Sequence, residues 1–272
     1  MQPFRVYHLL ILFSLAASVA RAQNTNPFVW SRTIKGDIVD FRVDNLGNLY
    51  LINSTNQLKK LGPQGDSLAV YNDVTSYGII YSIDVTNPLK ILVYYRESST
   101  IIELDRFLNL INTIDLRSLN IFQAKAVGLA YNNNIWVYDD LEARLKQISD
   151  DGSLVDQTGD VRQLVDMVPD PSIIADQSGL VYLYDSTDGA FVFDHYGAFK
   201  KRISISSWQD FNVIDKIVLG RNNHYFFRYQ LSDPEVEQQP IPATYLPALK
   251  IIITSGSIYV LKKTGLEIYS RT

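Results

Sequence analysis

Two stretches of this chain, FRVDNLGNLYLIN from Phe41 and IIADQSGLVYLYD from Ile173, carry the same punctuation. Asp44, Gly47, Tyr50 and Leu51 recur at one constant offset as Asp176, Gly179, Tyr182 and Leu183. Between them lies AYNNNIWVYDD, in which Trp136 and Asp139 share a single offset from Tyr50 and Asn53. Looser copies surround Tyr94, Phe226 and Tyr259, so the aromatic anchors Tyr50, Tyr94, Trp136, Tyr182, Phe226 and Tyr259 are evenly spaced until a shortened last interval. Their common period, about 44 residues, is the size of one four-stranded propeller blade.

The text after each anchor repeats as well. NQLKKLGPQGDSL, EARLKQISDDGSL and DGAFVFDHYGAF each hold apolar positions and then a Gly-bearing turn, as a third strand and its exit hairpin require. The anchor strands NLYLI, NIWVY, LVYLY and HYFF are continuous apolar runs, whereas a strand with one wet face alternates. Sheets stacked face to face bury both sides of their middle strands and account for such runs. The chain after Tyr259 is long enough for the strand GLEIYS but too short for a fourth. The segment PFVWSRTI, which precedes the first unit, is therefore expected to complete the last blade and remove two open sheet edges. On that reading Trp30 is a core residue, and its truncation costs about 3 to 5 kcal/mol.

The turns Asp44-Asn45-Leu46-Gly47-Asn48-Leu49-Tyr50 and Asp176-Gln177-Ser178-Gly179-Leu180-Val181-Tyr182 resemble the D-x-x-G-N-φ-Y turn of NHL-type and TolB-like repeats. The resemblance covers the chain beyond its leader in period, and the first, third and fourth units in motif; Pro88 and Lys90 replace the Gly turn in the second. It implies an all-β, six-bladed propeller of four-stranded blades over residues 23–272. The short last interval leaves five blades with an irregular closing segment as the alternative.

The first residues read as an export signal. Arg5 gives a positive start, LLILFSLAASVA an apolar stretch, and Ala20-Arg21-Ala22 a small-residue cleavage site before Gln23. Cleavage after Ala22 moves the formal charge from −4 to −6, since two arginines and no carboxylate are lost. Such a surface argues against nucleic acid and anionic lipid as partners. With no cysteine, the chain has no disulfide, thiolate metal site or Cys nucleophile and must rely on its core. No later stretch reaches the length of a membrane helix, so direct membrane insertion is not expected.

Candidate sites are few. Asp44 and Asp176 are expected to cap backbone N–H groups of their own tight turns, with Gly at positive φ. His195 and His224 fall in expected hairpin turns, where a solvated histidine is the ordinary case. There is no HExxH, GxSxG or EF-hand spacing. SDPEVEQQPIPATYLP, residues 232–247, breaks the repeat and reads as a long surface loop. It is either a tolerated insertion or a docking epitope presenting Pro234, Glu235, Glu237, Pro240 and Pro242, with Tyr245 and Leu246 as anchors. A second candidate is the charged turn Asp139, Asp140, Glu142 and Arg144.

Three classes fit these features. The first is a non-enzymatic protein-interaction propeller in the periplasm or exported beyond it, without a cofactor, serving as a soluble subunit of an outer-membrane assembly. The second is a propeller hydrolase or lactonase with an axial divalent metal, as the resemblance allows. The third is an outer-membrane β-barrel, which the apolar runs disfavour because they lack in–out alternation.

Overall fold

The computed structural model describes residues 27–72 and 76–272; the leader read at residues 1–22 lies outside them. The described residues form six antiparallel sheets of four strands. The chain begins with β1 (Phe28–Ile34). Blade 1 then comprises β2 (Asp40–Val43), β3 (Leu49–Ile52), β4 (Leu58–Leu61) and β5 (Ser67–Tyr71). Blade 2 comprises β6 (Ser82–Asn87), β7 (Lys90–Tyr95), β8 (Thr100–Leu104) and β9 (Leu110–Asp115). Blade 3 comprises β10 (Ala124–Leu129), β11 (Ile135–Asp139), β12 (Arg144–Ile148) and β13 (Leu154–Gln157). Blade 4 comprises β14 (Ile173–Gln177), β15 (Leu180–Asp185), β16 (Gly189–Asp194) and β17 (Phe199–Ile203). Blade 5 comprises β18 (Gln209–Ile214), β19 (Ile217–Arg221), β20 (Tyr225–Gln230) and β21 (Asp233–Pro240). Blade 6 comprises β22 (Lys250–Ile253), β23 (Ser257–Lys262) and β24 (Gly265–Arg271), and β1 pairs antiparallel with β24 as its fourth strand.

The ring therefore closes as the repeat demands, and the first strands of successive blades touch all the way round, including β2 with β22. The core is not single. One apolar cluster fills each space between neighbouring blades, such as Tyr50, Ile83 and Val93 between blades 1 and 2, or Trp136, Leu183 and Phe191 between blades 3 and 4. That division explains the uninterrupted apolar runs: β3, β7 and β11 are buried at every position because each face meets a different blade.

Three expectations need correction. Trp30 lies on β1 but is 60% exposed, its indole Nε1 donating only to Thr33 Oγ1 at 3.3 Å. A fourth strand lies at the rim, where blades have diverged, so closing the ring does not bury this residue. Phe226 lies on the third strand of blade 5, not the second. Its second strand, β19, bears Leu219 where β15 has Tyr182, each paired to the first strand of its blade. Leu219 stands close to midway between Tyr182 and Tyr259, so no blade is missing. Blade 5 takes its aromatic from Trp208 in the preceding connection: a Cβ on Gly220 would sit 2.7 Å from Trp208 Cε3, which shows how closely the indole covers β19.

The third correction concerns residues 232–247. They are not a long loop: β21 pairs with β20 from Tyr225↔Pro240 to Gln230↔Asp233. Its prolines are tolerated because an outermost strand has one edge that needs no N–H donor. Tyr245 is buried, edge-on to Tyr269 at 4.6 Å and 6.4 Å from Phe226, and so wedges blades 5 and 6 together.

Candidate functional site

The ring has two ends. At the connection end the chain passes between blades and enters each first strand; at the opposite end lie the hairpins from first to second and third to fourth strands. At the connection end an apolar pair precedes four of the first strands: Ile38-Val39, Ile80-Tyr81, Ile121-Phe122 and Ala248-Leu249. The first member of each pair packs into a core cluster or against one. The second stays in solvent, with Val39 and Phe122 54% exposed, Leu249 55% and Tyr81 38%. Val39, Tyr81 and Leu249 hold equivalent positions, their N–H groups donating to Ile52, Tyr94 and Leu261 carbonyls and so extending each first strand by one rung. These are blades 6, 1, 2 and 3, which are consecutive once the ring is closed. Blades 4 and 5 lack the feature: Ser172 takes the place in one and the buried Trp208 in the other.

Charged pairs between and within blades surround this apolar row. Lys250 of blade 6 meets Asp40 of blade 1 at 2.5 Å, and Lys125 of blade 3 meets Asp170, on the way into blade 4, at 2.6 Å. Arg96 of blade 2 donates to the Lys125 carbonyl and lies 3.4 Å from the Tyr81 ring centre. In blade 5 Arg221 and Asp210 pair at 2.5 Å, and Asp210 also accepts from Ile251 N of blade 6 at 2.7 Å. Burial pushes the Asp210 carboxyl up despite Arg221, while the hydrogen bond to Asp170 pushes the Lys125 ammonium up. An exposed apolar row bordered by fixed charges has the chemical make-up of a protein-docking surface.

The charged turn of blade 3 lies at the same end. Asp139 is buried and paired with Lys146 at 2.7 Å, and Glu142 reaches Lys146 at 3.1 Å and Arg144 at 3.9 Å. Asp140 is 3.9 Å from Lys125. All four expected residues thus fasten the turn to its own blade, since Lys125 also belongs to blade 3. Of the other candidates, Glu235, Glu237 and Pro240 are exposed on the rim strand β21, with Glu237 paired to Arg228 at 2.8 Å. Pro242 and Leu246 are half-buried, and Leu246 packs with Tyr245. The side chain of Pro234 lies outside the described residues.

The two repeated aspartates behave differently. Asp44 caps its own turn, accepting from Leu46 N and Asn48 N at 2.9 Å, Asn48 Nδ2 at 2.8 Å and Tyr50 Oη at 3.1 Å. Burial and this carboxylate push the Tyr50 phenol far above its usual range. Asp176 bonds away from its turn: Oδ2 accepts from Trp136 Nε1 at 3.0 Å and Tyr131 N at 3.1 Å, both in blade 3, and Oδ1 meets His195 Nε2 at 2.8 Å. His195 is accordingly not a solvated turn residue; its ring stacks on Tyr131 at 3.9 Å and 5°. His224 does lie in an exposed turn. Among the described residues no group of three or more His, Cys, Asp or Glu is placed to hold a metal ion.

No protein-family model matches the chain, and no curated protein sequence does. Solved structures do. A streptogramin B lyase superposes with a TM-score of 0.60 at 11% identity over 90% of this chain and 86% of the lyase. The Pan2 WD40 domain of Neurospora crassa gives 0.58 at 11% identity over 87% and 89%. BBS1N, solved in complex with ARL6DN, gives 0.56 at 10% identity over 90% and 97%. At such identities the likeness is one of fold. The chain is a six-bladed β-propeller, as the period of its repeat implies.

Proposed function

We propose that this propeller is an exported, non-enzymatic interaction module that docks another protein on its connection end. The observation that carries the proposal is the row Leu249, Val39, Tyr81 and Phe122, in which four consecutive blades hold an apolar side chain in water at or next to the same structural position. Folding does not require it, since blades 4 and 5 are built without it. The leader read in the sequence supports a partner outside the cytoplasm, and an outer-membrane assembly is the partner we favour.

The test is cross-linking and affinity capture of tagged protein from its native envelope. The doubly substituted Phe122→Asp/Leu249→Asp protein should lose the partners that the parent recovers. Val155→Asp, at an exposed apolar site on the rim strand β13, should keep them. Identical recovery by all three proteins would refute the docking face. Deleting residues 232–247 is unsuitable as a control, because it would remove β21 and the wedge Tyr245. Glu235→Lys/Glu237→Lys tests that rim without unfolding it. Metal analysis of the purified protein tests the hydrolase alternative directly.

A further inference from the structure

We propose that the opposite end of blade 3 binds a neutral carbohydrate, using Tyr131 as a stacking platform and, as the hydrogen-bonding wall, the cleft that begins at the next residue of the same hairpin turn. The cleft is shallow and open to solvent, about 360 Å³ in volume, and is lined by Asn132, Asn133, Asn134, Ser149, Asp150 and Asp151. Every one of these side chains is an amide, a hydroxyl or a carboxylate, the groups that match the paired donors and acceptors of vicinal sugar hydroxyls.

The wall is held in place before any ligand arrives. Asn132 Nδ2 and Asn134 Nδ2 both donate to Gln147 Oε1, at 3.2 and 3.0 Å. Blade 2 braces the same hairpin and turn: Asn87 Nδ2 donates to Asn133 Oδ1 at 2.9 Å, Lys90 Nζ to the Asn133 carbonyl at 2.8 Å, and Asn112 Nδ2 to the Asp150 carbonyl at 2.6 Å. Groups fixed in this way lose little freedom on binding. Lys90 also pairs with Asp150, sharing its charge with the buried Glu103 at 3.1 Å. Asp151 remains, its carboxyl held down to about 2 by hydrogen bonds from Ser149 and Ser153. A permanently ionised acceptor suits hydroxyl donors and repels phosphates and acidic sugars.

The platform is built with equal care. Tyr131 is 62% exposed even though His195 covers one face of its ring. His195 is set by the buried Asp176, and Asp176 by the Trp136 indole and the Tyr131 N–H itself. The effect is to hold an aromatic face rigidly in water on the residue that precedes Asn132. The C–H faces of a pyranose stack on such a surface, while its hydroxyls need the polar wall alongside.

The experiment is isothermal titration calorimetry of the leader-free protein against trisaccharides of the chito, cello, malto, manno and xylo series, with calcium chloride as a separate arm. Saturable binding of at least one trisaccharide is expected, weakened about tenfold in Tyr131→Ala, which corresponds to the loss of one aromatic contact. Asp151→Ala, fully at the surface, should weaken it several-fold and serves as the second variant if Tyr131→Ala melts early. Phe122→Asp/Leu249→Asp should bind sugar normally, so this site and the docking face fail separately. No saturable binding across the panel, heat only with calcium, or an affinity untouched by both Tyr131→Ala and Asp151→Ala would overturn the proposal.

Discussion

Blade 1 and blade 4 contain the same words and use them differently. In blade 1 the hairpin closes between Asp44 N and the Asn48 carbonyl at 3.1 Å, leaving Asp44 at the head of a tight turn whose N–H groups point at its carboxylate. In blade 4 the ladder runs further: Asp176 pairs with Val181 and Gln177 with Leu180, so the turn shrinks to Ser178-Gly179, both at positive φ. One extra rung places Asp176 inside the strand, where its own turn no longer offers donors. The buried carboxylate then finds them in Trp136, Tyr131 and His195. Asn48 in blade 1 supplies a side-chain donor that Leu180 cannot, which favours the wider turn there. Local sequence identity thus produced a local cap in one blade and an interblade tie in another.

The largest effect is expected from Asp176→Ala, which strands the Trp136 indole N–H and unfixes His195; urea denaturation should show a loss of about 3 kcal/mol. Asp44→Ala breaks bonds confined to one hairpin and should cost about 2 kcal/mol in the same titration. Equal losses, or the reverse order, would break the distinction between tie and cap. His195→Ala should cost about 1 kcal/mol, because Asp176 keeps its two blade 3 donors. A double-mutant cycle sharpens the point: Asp176→Ala and Trp136→Phe should couple across blades, and Asp44→Ala with Tyr50→Phe within one. Gly47→Ala and Gly179→Ala, at φ 81° and 86° with no close contact awaiting a Cβ, should each cost about 1 kcal/mol and not differ. The smallest change is expected for Trp30→Ala, within about 0.5 kcal/mol by thermal melting, in contrast to the fully buried Trp136.

Much of the architecture could be read from the residues because a propeller repeats its local chemistry. Continuous apolar runs such as LYLI and IWVYD announced strands buried on both faces, and the missing fourth strand of the last unit pointed to residues 28–34. The exposed apolar row is also present in the text, as the apolar pair before four first strands, but two adjacent apolar residues are a far weaker signal than the turn motif beside them. By contrast, nothing near His195 in sequence reveals Tyr131 beneath it, since the two are far apart along the chain and meet only when blade 4 packs on blade 3. The Pro-rich stretch misled for a related reason: prolines argue for a loop unless the strand is outermost, and strand order is a tertiary property.

What the amino-acid order settled by itself was the repeating unit and the closure of the ring, because strand burial, turn geometry and strand count are written one blade-length at a time. Which carboxylate caps and which one ties, which tryptophan is core and which is rim, and where exposed side chains gather were decided only by the assembled blades. The physical reason is range: a hydrogen bond to a neighbour in sequence is encoded locally, whereas a partner across an interblade gap exists only after both sheets are in place.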